Sequence, residues 1–156
     1  MSRSGHEPMT SELRLQRMED IHAIAQLKTR YTEFANSWPD RPHSGAGIEE
    51  LFTDDATWHI VPSGPPLVGI AAIKARFDDA TLFPFSYHLL GNPWIEVDGD
   101  EALGRWHVVV AFRMEQTGPM WVTGFYEDRF SRQSDGWRIS SLLCTASGAA
   151  PFGQSW

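Results

Sequence analysis

The feature that most constrains the fold is a strictly alternating segment in the second half of the chain. From residue 102 to 112 every even-numbered residue is apolar or Gly, whereas the odd-numbered residues include Arg105 and His107. Successive side chains of a strand point to opposite faces of its sheet. The segment is therefore predicted to be a long strand with its even-numbered face against the interior. Turns containing Gly separate it from further strand segments, at 94–97, 120–132 and 137–146, which together predict an antiparallel meander.

The first half of the chain shows helical spacing instead. Apolar residues recur at helical intervals between residues 13 and 37, and Pro39 and Pro42 are expected to end this helix. Two shorter helices are predicted at 48–52 and 69–79, on either side of a strand at 56–61. Helices followed by a meander indicate an α+β fold with about three N-terminal helices on one face of a curved, mostly antiparallel sheet. We expect one domain over residues 13–156 behind a flexible tail of residues 1–12.

Composition excludes several classes of function. Hydrophobic residues make up 42% of the 156-residue chain and aromatic residues 12%, which is incompatible with disorder of its body. The net charge is −7 and the basic residues are scattered, which argues against binding to nucleic acid. No apolar run reaches the length of a membrane span, and the N-terminus lacks the apolar core of a signal peptide, so we expect a cytoplasmic protein that does not bind a membrane. The single cysteine, Cys144, lies in an apolar run and is interpreted as a buried thiol.

Three phrases in order carry a family resemblance. Residues 30–38 read RYTEFANSW at the end of the first helix, residues 51–58 read LFTDDATW, and residues 88–100 read HLLGNPWIEVDGD. This order resembles the SnoaL-like branch of the NTF2-like superfamily, which includes scytalone dehydratase, hexachlorocyclohexane dehydrochlorinase and bile-acid 7α-dehydratase. The resemblance implies an NTF2-like cone with a pocket inside it, dimerisation through the outer sheet face, and lyase chemistry without a cofactor.

The same resemblance assigns the candidate catalytic residues. It implies that His88 is a general acid or base, that Tyr31 donates a hydrogen bond to the substrate, and that Asn36 stands where the family has an Asp. From the residues alone, partial burial would lower the pKa of His88 and leave a neutral base. The alternatives that remain open are a hydrogen-bonded structural histidine at position 88 and a helix C-cap at Asn36.

No other carboxylate is a strong substitute for the missing Asp. Glu33 and Asp40 lie near the end of the first helix, and Glu127 could face inward if the odd-numbered residues of its strand do. The six histidines show no metal-ligand spacing, and no phosphate-binding or nucleophile motif is present. We therefore expect neither a metal nor a cofactor.

The seven tryptophans and the other aromatic residues suggest an apolar pocket for a ring-shaped ligand, with ordinary core packing as the alternative. The residues predicted to contact the substrate are Phe34, Trp58, Phe85, Trp106, Val108, Trp121 and Phe125.

The odd-numbered face of residues 102–112 is too apolar for a freely solvated surface, because it carries Leu103, Val109 and Ala111. We therefore expect a homodimer or a higher homo-oligomer. The sequence as a whole predicts a lyase or isomerase for a hydrophobic cyclic small molecule. A non-catalytic ligand-binding protein or assembly subunit of the same fold is the alternative.

Overall fold

A computed structural model describes residues 10–79, 81, 84–114 and 118–153. Helix α1 spans Ser11–Ala35, and the hydroxyl of Thr10 caps it by accepting a hydrogen bond from the backbone N–H of Leu13 at 3.3 Å. Of the predicted tail, residues 1–9 lie outside the described residues. The helix ends where Asn36 takes an extended conformation, three residues before Pro39.

Six strands form one sheet. They are β1 (Phe52–Val61), β2 (Leu67–Val68), β3 (Phe85–Asp98), β4 (Glu101–Met114), β5 (Gly118–Gln133) and β6 (Gly136–Pro151). Their order across the sheet is β2-β1-β6-β5-β4-β3, and every neighbouring pair is antiparallel except β1 and β6, which are parallel. The predicted α+β class and the meander of the last four strands are therefore confirmed.

The number of helices differs from the prediction of about three. The described residues contain two α-helices, α1 and α2 (Ile70–Asp78), because the segment expected at 48–52 is a single 3-10 turn at Ile48–Glu50. Gly47 has a φ of 85° immediately before this turn, and β1 begins at Phe52 immediately after it. Between these two limits the chain has room for one turn only, so the apolar residues Ile48 and Leu51 fill the core without forming a longer helix.

The inner face of the sheet is the even-numbered face of β4, as predicted. Ala102, Gly104, Trp106 and Val108 are all buried. Gly104 is required beneath Trp106, because a Cβ atom at this position would clash with the indole ring. Helix α1 crosses this inner face and contacts β3 and β6.

An ionic clamp holds the first half of α1 on the sheet. Asp20, which is 5% exposed, accepts two hydrogen bonds of 2.8 Å from the guanidinium of Arg132 and one of 3.0 Å from the indole N–H of Trp137. The hydrogen bonds from Arg132 are the main reason that the pKa of Asp20 lies below its ordinary value. The clamp joins α1 to β5 and β6 and thereby fixes the direction in which the helix approaches the site.

No described helix is long and apolar enough to cross a membrane.

Candidate functional site

The site begins where α1 ends against β3. Ser37 and Ser86 exchange two backbone hydrogen bonds of 2.9 Å, which place the chain after α1 beside the first residues of β3. Asn36 is thereby brought opposite His88. Its side-chain oxygen, Oδ1, lies 2.8 Å from the backbone nitrogen and 3.0 Å from the ring Nδ1 of His88. Asn36 is thus both the C-cap residue of α1 and a direct partner of His88.

This double contact determines which nitrogen of His88 is basic. A backbone N–H can only donate, so the Asn36 atom that it meets must be the carbonyl oxygen and not the amide nitrogen. The same oxygen can only accept, so the Nδ1 atom of His88 must carry a hydrogen. In the neutral ring the lone pair is then on Nε2. Asn36 therefore orients the imidazole without carrying a negative charge.

His88 is half-buried, and its surroundings favour the neutral form. Burial, with a smaller contribution from the charges of Lys28 and His43, lowers the pKa of His88 to about 3. At pH 7 the ring is therefore a neutral imidazole with a lone pair on Nε2 that can accept a hydrogen bond, and the lowered pKa makes this nitrogen a weaker base than a free imidazole.

A small polar network beneath the pair holds the end of α1 in place. The Ser86 hydroxyl donates to the carbonyl oxygen of Ala35 at 2.6 Å, and it lies 3.2 Å from the Ser37 hydroxyl. The Nε2 atom of His43 lies 2.9 Å from the same carbonyl, to which it donates. Sequence reasoning missed this network, because none of its members has a recognisable spacing in the chain.

Tyr31 occupies a different place from the one expected for a substrate contact. It is 1% exposed, its hydroxyl accepts a hydrogen bond of 3.0 Å from the indole N–H of Trp58, and burial raises its pKa. Its ring packs edge-on against Phe52, Phe77 and Tyr126. Its hydroxyl thus holds the indole of Trp58, and its ring is part of the hydrophobic core.

The largest feature that sequence reasoning missed is a buried ion pair. Lys28 Nζ lies 2.7 Å from Asp128 Oδ2, and the two side chains are 1% and 0% exposed. The ammonium group also lies 3.4 Å from the ring centre of Tyr126 and 4.5 Å from that of Tyr31, both within cation–π range. Burial lowers the pKa of Lys28 and raises that of Asp128 to about 6, and each charge opposes the shift of the other.

Signals for this pair exist in the sequence. Lys28 lies four residues after Ile24 and three before Tyr31, so it interrupts the apolar stripe of α1 at a buried position. Asp128 lies on the same face of β5 as Tyr126 and Phe130, both of which are buried. Once the structure has shown which face of β5 is buried, a charged residue on each of two buried faces implies a pair, because an isolated buried charge is very costly.

Four of the predicted substrate contacts face the interior. Trp106 and Val108 are buried on β4, whereas Phe34 and Trp58 are half-buried and pack against the core cluster.

The other three predicted contacts, Phe85, Trp121 and Phe125, are corrected by the strand register. Phe85 pairs with Arg113, Trp121 with Ala111 and Phe125 with His107, so all three lie on the outer face. Each of them is 37% exposed. For the two residues on β5, the alternation of side chains along the strand explains the result. Tyr126 and Asp128 face inward, so the odd-numbered residues of this strand, such as Phe125, face outward.

None of the three candidate substitute carboxylates reaches His88 as a buried group. Glu127 lies 3.3 Å from Arg105 on the outer face, Glu33 forms an exposed ion pair with Arg41, and Asp40 is exposed. Within the part of the chain that the structure describes, no three His, Cys, Asp or Glu side chains are arranged to hold a metal ion.

A groove of about 480 Å³ lies on the outer face, where a β-bulge interrupts the pairing of β3 and β4 between Gly91 and Trp94. Its lining includes Asn92, Trp94, Arg105, His107, Phe125 and Glu127. Of these residues, Trp94, Arg105, His107, Phe125 and Glu127 lie on the face of the sheet opposite to that of His88.

A family model described as the SnoaL-like domain matches residues 16–142. No curated protein matches the sequence. Among solved structures, a protein from Kribbella flavida is 25% identical with a TM-score of 0.70, over 86% of this chain and 95% of that one.

Two further structures are similar in fold. A hexachlorocyclohexane dehydrochlorinase of type 2 is 18% identical with a TM-score of 0.79, over 92% of this chain and 96% of its own. A protein from Novosphingobium aromaticivorans, named as a candidate scytalone dehydratase, is 18% identical with a TM-score of 0.73, over 94% of this chain and all of its own. At these identities the likeness establishes the fold only.

Proposed function

The chain belongs to the SnoaL-like domain family, and we propose that it is a cofactor-independent lyase or isomerase for a hydrophobic cyclic small molecule. The observation that carries the proposal is the contact of Asn36 Oδ1 with both the backbone nitrogen and the ring Nδ1 of His88. This contact leaves Nε2 as an oriented base in a half-buried position. The names of the similar structures, a dehydrochlorinase and a candidate scytalone dehydratase, are consistent with such a reaction.

In the proposed reaction, Nε2 of His88 removes a proton from a carbon atom made acidic by a neighbouring carbonyl group. The electron pair of that C–H bond then forms a new double bond, with loss of a leaving group in a lyase or return of the proton elsewhere in an isomerase. Asn36 keeps the ring in the reactive orientation. Trp58, held by Tyr31, would form an apolar wall with Phe34, and proximity of this kind supplies much of a catalytic effect.

The test is deuterium exchange from D₂O into a panel of cyclic ketones, followed by NMR in the presence of the protein. His88→Gln should lower the exchange rate at least about 100-fold, the usual contribution of general base catalysis. The control is Tyr87→Phe, an exposed position on the outer face of β3, which should leave the rate unchanged. Equal rates in the wild type and His88→Gln would contradict the proposal.

A non-catalytic ligand-binding protein is the second candidate, and Asn36 is the observation that favours it. An amide in place of a carboxylate removes the charge that would stabilise a protonated His88. This candidate predicts that the protein binds a cyclic ketone without converting it, so that the affinity is the same before and after prolonged incubation of the two together. It also predicts that no deuterium passes from D₂O into the bound ketone. It also predicts that His88→Gln lowers affinity, because the ligand loses its hydrogen-bond acceptor at Nε2.

We also propose that a second copy of the chain covers the outer sheet face. Neighbouring positions Leu89 and Val109 on β3 and β4 are 63% and 37% exposed, and Trp121 and Phe125 continue this apolar face on β5. An apolar face of this extent is typical of an interface between subunits.

Leu89→Asp should convert the proposed dimer into a monomer at micromolar concentration, because it introduces a charge into the centre of the interface. Val68→Asp makes a comparable change at an exposed apolar residue of β2 and should not alter assembly. Sedimentation velocity distinguishes the two species, and a monomeric wild-type protein would contradict the proposal.

A further inference from the structure

We infer that Ser86 and His43 are positioning residues for the candidate base. By binding the carbonyl oxygen of Ala35, they leave the backbone N–H of His88 to the side chain of Asn36. The inference rests on the proposed function and assigns two further residues to it. Both act through Asn36 on the orientation of the imidazole, and neither is required to touch a ligand.

The carbonyl oxygen of Ala35 lacks its usual helical partner. In an α-helix it would accept a hydrogen bond from the backbone N–H four residues later, but residue 39 is proline and has no N–H. Ala35 is also the last residue of α1, where carbonyl groups need partners from outside the helix. Two side chains supply them. The Ser86 hydroxyl donates to this oxygen at 2.6 Å and the Nε2–H of His43 donates at 2.9 Å, which uses both of its lone pairs.

The same carbonyl group is the regular ladder partner for His88. Ser37 and Ser86 exchange two backbone hydrogen bonds of 2.9 Å, the pattern of a hydrogen-bonded pair in an antiparallel ladder. The next such pair lies two residues away on each strand, and here it would join Ala35 to His88. The backbone N–H of His88 instead donates to Asn36 Oδ1 at 2.8 Å. A side-chain oxygen has therefore replaced the backbone acceptor at this position.

This replacement determines the state of the His88 ring. While Ser86 and His43 occupy the carbonyl oxygen, the Asn36 amide is the acceptor for the backbone N–H and is held with its oxygen towards His88. That oxygen lies 3.0 Å from Nδ1 and requires a hydrogen there. If the backbone N–H turned to Ala35, nothing would fix which end of the amide faces the ring. The Nδ1–H tautomer would then no longer be imposed.

Burial makes the two donors difficult to replace. Ser86 is 3% exposed and His43 is 8% exposed. Because the hydrogen of Ser86 is used on the carbonyl oxygen, its Oγ accepts from the hydroxyl of Ser37, 3.2 Å away. Loss of both donors would leave a buried carbonyl oxygen without a partner, which is costly. The nearest backbone donor that the ladder offers to that oxygen is the N–H of His88.

The first measurement identifies the acceptor directly and needs no substrate. NMR couplings across hydrogen bonds link an amide nitrogen to the carbon of the group that accepts from it. In the wild type, the backbone nitrogen of His88 should couple to Cγ of Asn36. In the double variant Ser86→Ala/His43→Leu, a coupling to the carbonyl carbon of Ala35 should replace it. A persistent coupling to Asn36, or its loss without a coupling to Ala35, would overturn the inference.

The ring of His88 gives a second readout, which a merely structural role would not move. The ¹⁵N chemical shifts of the wild-type ring should be those of the Nδ1–H tautomer. In the double variant the ratio of the Nε2–H form to the Nδ1–H form should rise at least about fivefold, the change that corresponds to one lost hydrogen bond. An unchanged ratio would contradict the positioning role.

Three controls accompany the double variant. The coupling between the backbone nitrogen of Ser37 and the carbonyl carbon of residue 86 should persist, which shows that the chain after α1 is still paired with β3. If it does not, Ser86→Ala alone is judged by the same criterion. His43→Gln keeps an N–H donor and should retain the wild-type coupling of His88. Ser147→Ala removes an exposed hydroxyl that donates to a backbone carbonyl at 3.1 Å on the other side of the sheet, and should leave His88 unaltered.

Failure of the proposed function has a different signature from failure of the inference. In the deuterium-exchange assay, the double variant should lower kcat at least about fivefold with little change in KM, because the base is misoriented. If the couplings of His88 change as expected but the wild type exchanges no deuterium, the function is contradicted and the positioning role stands. If the wild type exchanges deuterium and the coupling to Asn36 survives in the double variant, the function stands and the inference is wrong.

Discussion

Two Asn–His pairs lie on opposite faces of the same sheet, and they differ in the atom that the Asn presents. On the inner face, Asn36 offers its oxygen to His88 Nδ1 at 3.0 Å. On the outer face, the amide nitrogen of Asn92 lies 3.3 Å from Nδ1 of His107, in an exposed groove. The backbone N–H of His88 orients the amide of Asn36, and the amide oxygen then requires a hydrogen on Nδ1 of the ring. The outer pair is exposed, so water is an alternative partner for both of its side chains.

The same contrast holds for two ion pairs on neighbouring residues of β5. Asp128 faces inward and pairs with Lys28 at 2.7 Å, out of contact with solvent, whereas Glu127 faces outward and lies 3.3 Å from the exposed Arg105. Burial makes the inner charges depend on each other, because removal of one partner leaves the other uncompensated in a medium of low polarity. Exposed charges are largely screened by water.

The largest expected effect distinguishes these two ion pairs. Asp128→Asn should lower the free energy of unfolding by about 3–5 kcal/mol, since it leaves Lys28 buried without a counter-charge. The matched change at the neighbouring residue, Glu127→Gln, whose side chain faces outward, should lower the free energy of unfolding by less than about 1 kcal/mol. Urea denaturation of both variants at pH 7 tests this comparison, and equal losses of stability would contradict it.

The next effect distinguishes the two asparagines. Asn36→Ala removes the acceptor of both the backbone N–H and the ring Nδ1–H of His88. It should lower the free energy of unfolding by about 2 kcal/mol, because these donors are left without a partner away from water. Asn92→Ala should lower the free energy of unfolding by a few tenths of a kcal/mol at most, because water can replace the lost partner of the exposed His107. If the Asn36→Ala protein kept His88 as the Nδ1–H tautomer by NMR, the orienting role of Asn36 would be disproved.

The smallest effect concerns pH. Because the folded-state pKa of His88 is lowered to about 3, its contribution to stability is fully present above pH 6.5 and is lost as the pH falls towards 3. Between pH 7 and pH 5 the free energy of unfolding of the wild type should therefore fall by about 1 kcal/mol more than that of His88→Gln. This value is smaller than the full pKa shift would give, because the ring is only half-buried and water screens part of the effect.

The control for this pH effect is His107→Gln, on the exposed side of the sheet. It removes an exposed imidazole and leaves the contacts of His88 unchanged, so the pH dependence that is attributed to His88 should persist in this variant. If His107→Gln and His88→Gln had the same pH dependence, the contrast between the two faces would be lost.

Sequence reasoning was accurate where a single segment carried the information. The even-numbered residues of β4 face inward because alternation is a local property of a strand. The family resemblance, which the SnoaL-like domain model confirms, named both Asn36 and His88 as candidate catalytic residues, and the structure joins the two by a hydrogen bond.

Sequence reasoning failed on β5, where both faces carry aromatic residues. Trp121 and Phe125 lie on one face, and Tyr126 and Phe130 lie on the other, so the hydrophobic pattern leaves the inner face ambiguous. The pairing of Glu127 with Arg105 on β4 resolves the ambiguity, because neighbouring residues of paired strands lie on the same face.

The sequence by itself determined the order of a long first helix and a later antiparallel meander, the inner row of β4 and the absence of a carboxylate at position 36. These features depend on backbone sterics and side-chain periodicity within a few residues. Only the tertiary structure decided that Lys28 meets Asp128 and that Asn36 turns its oxygen towards His88. Burial and hydrogen bonding depend on groups that are distant along the chain, and the cost of removing a charge or an N–H group from water is defined only once those groups have come together.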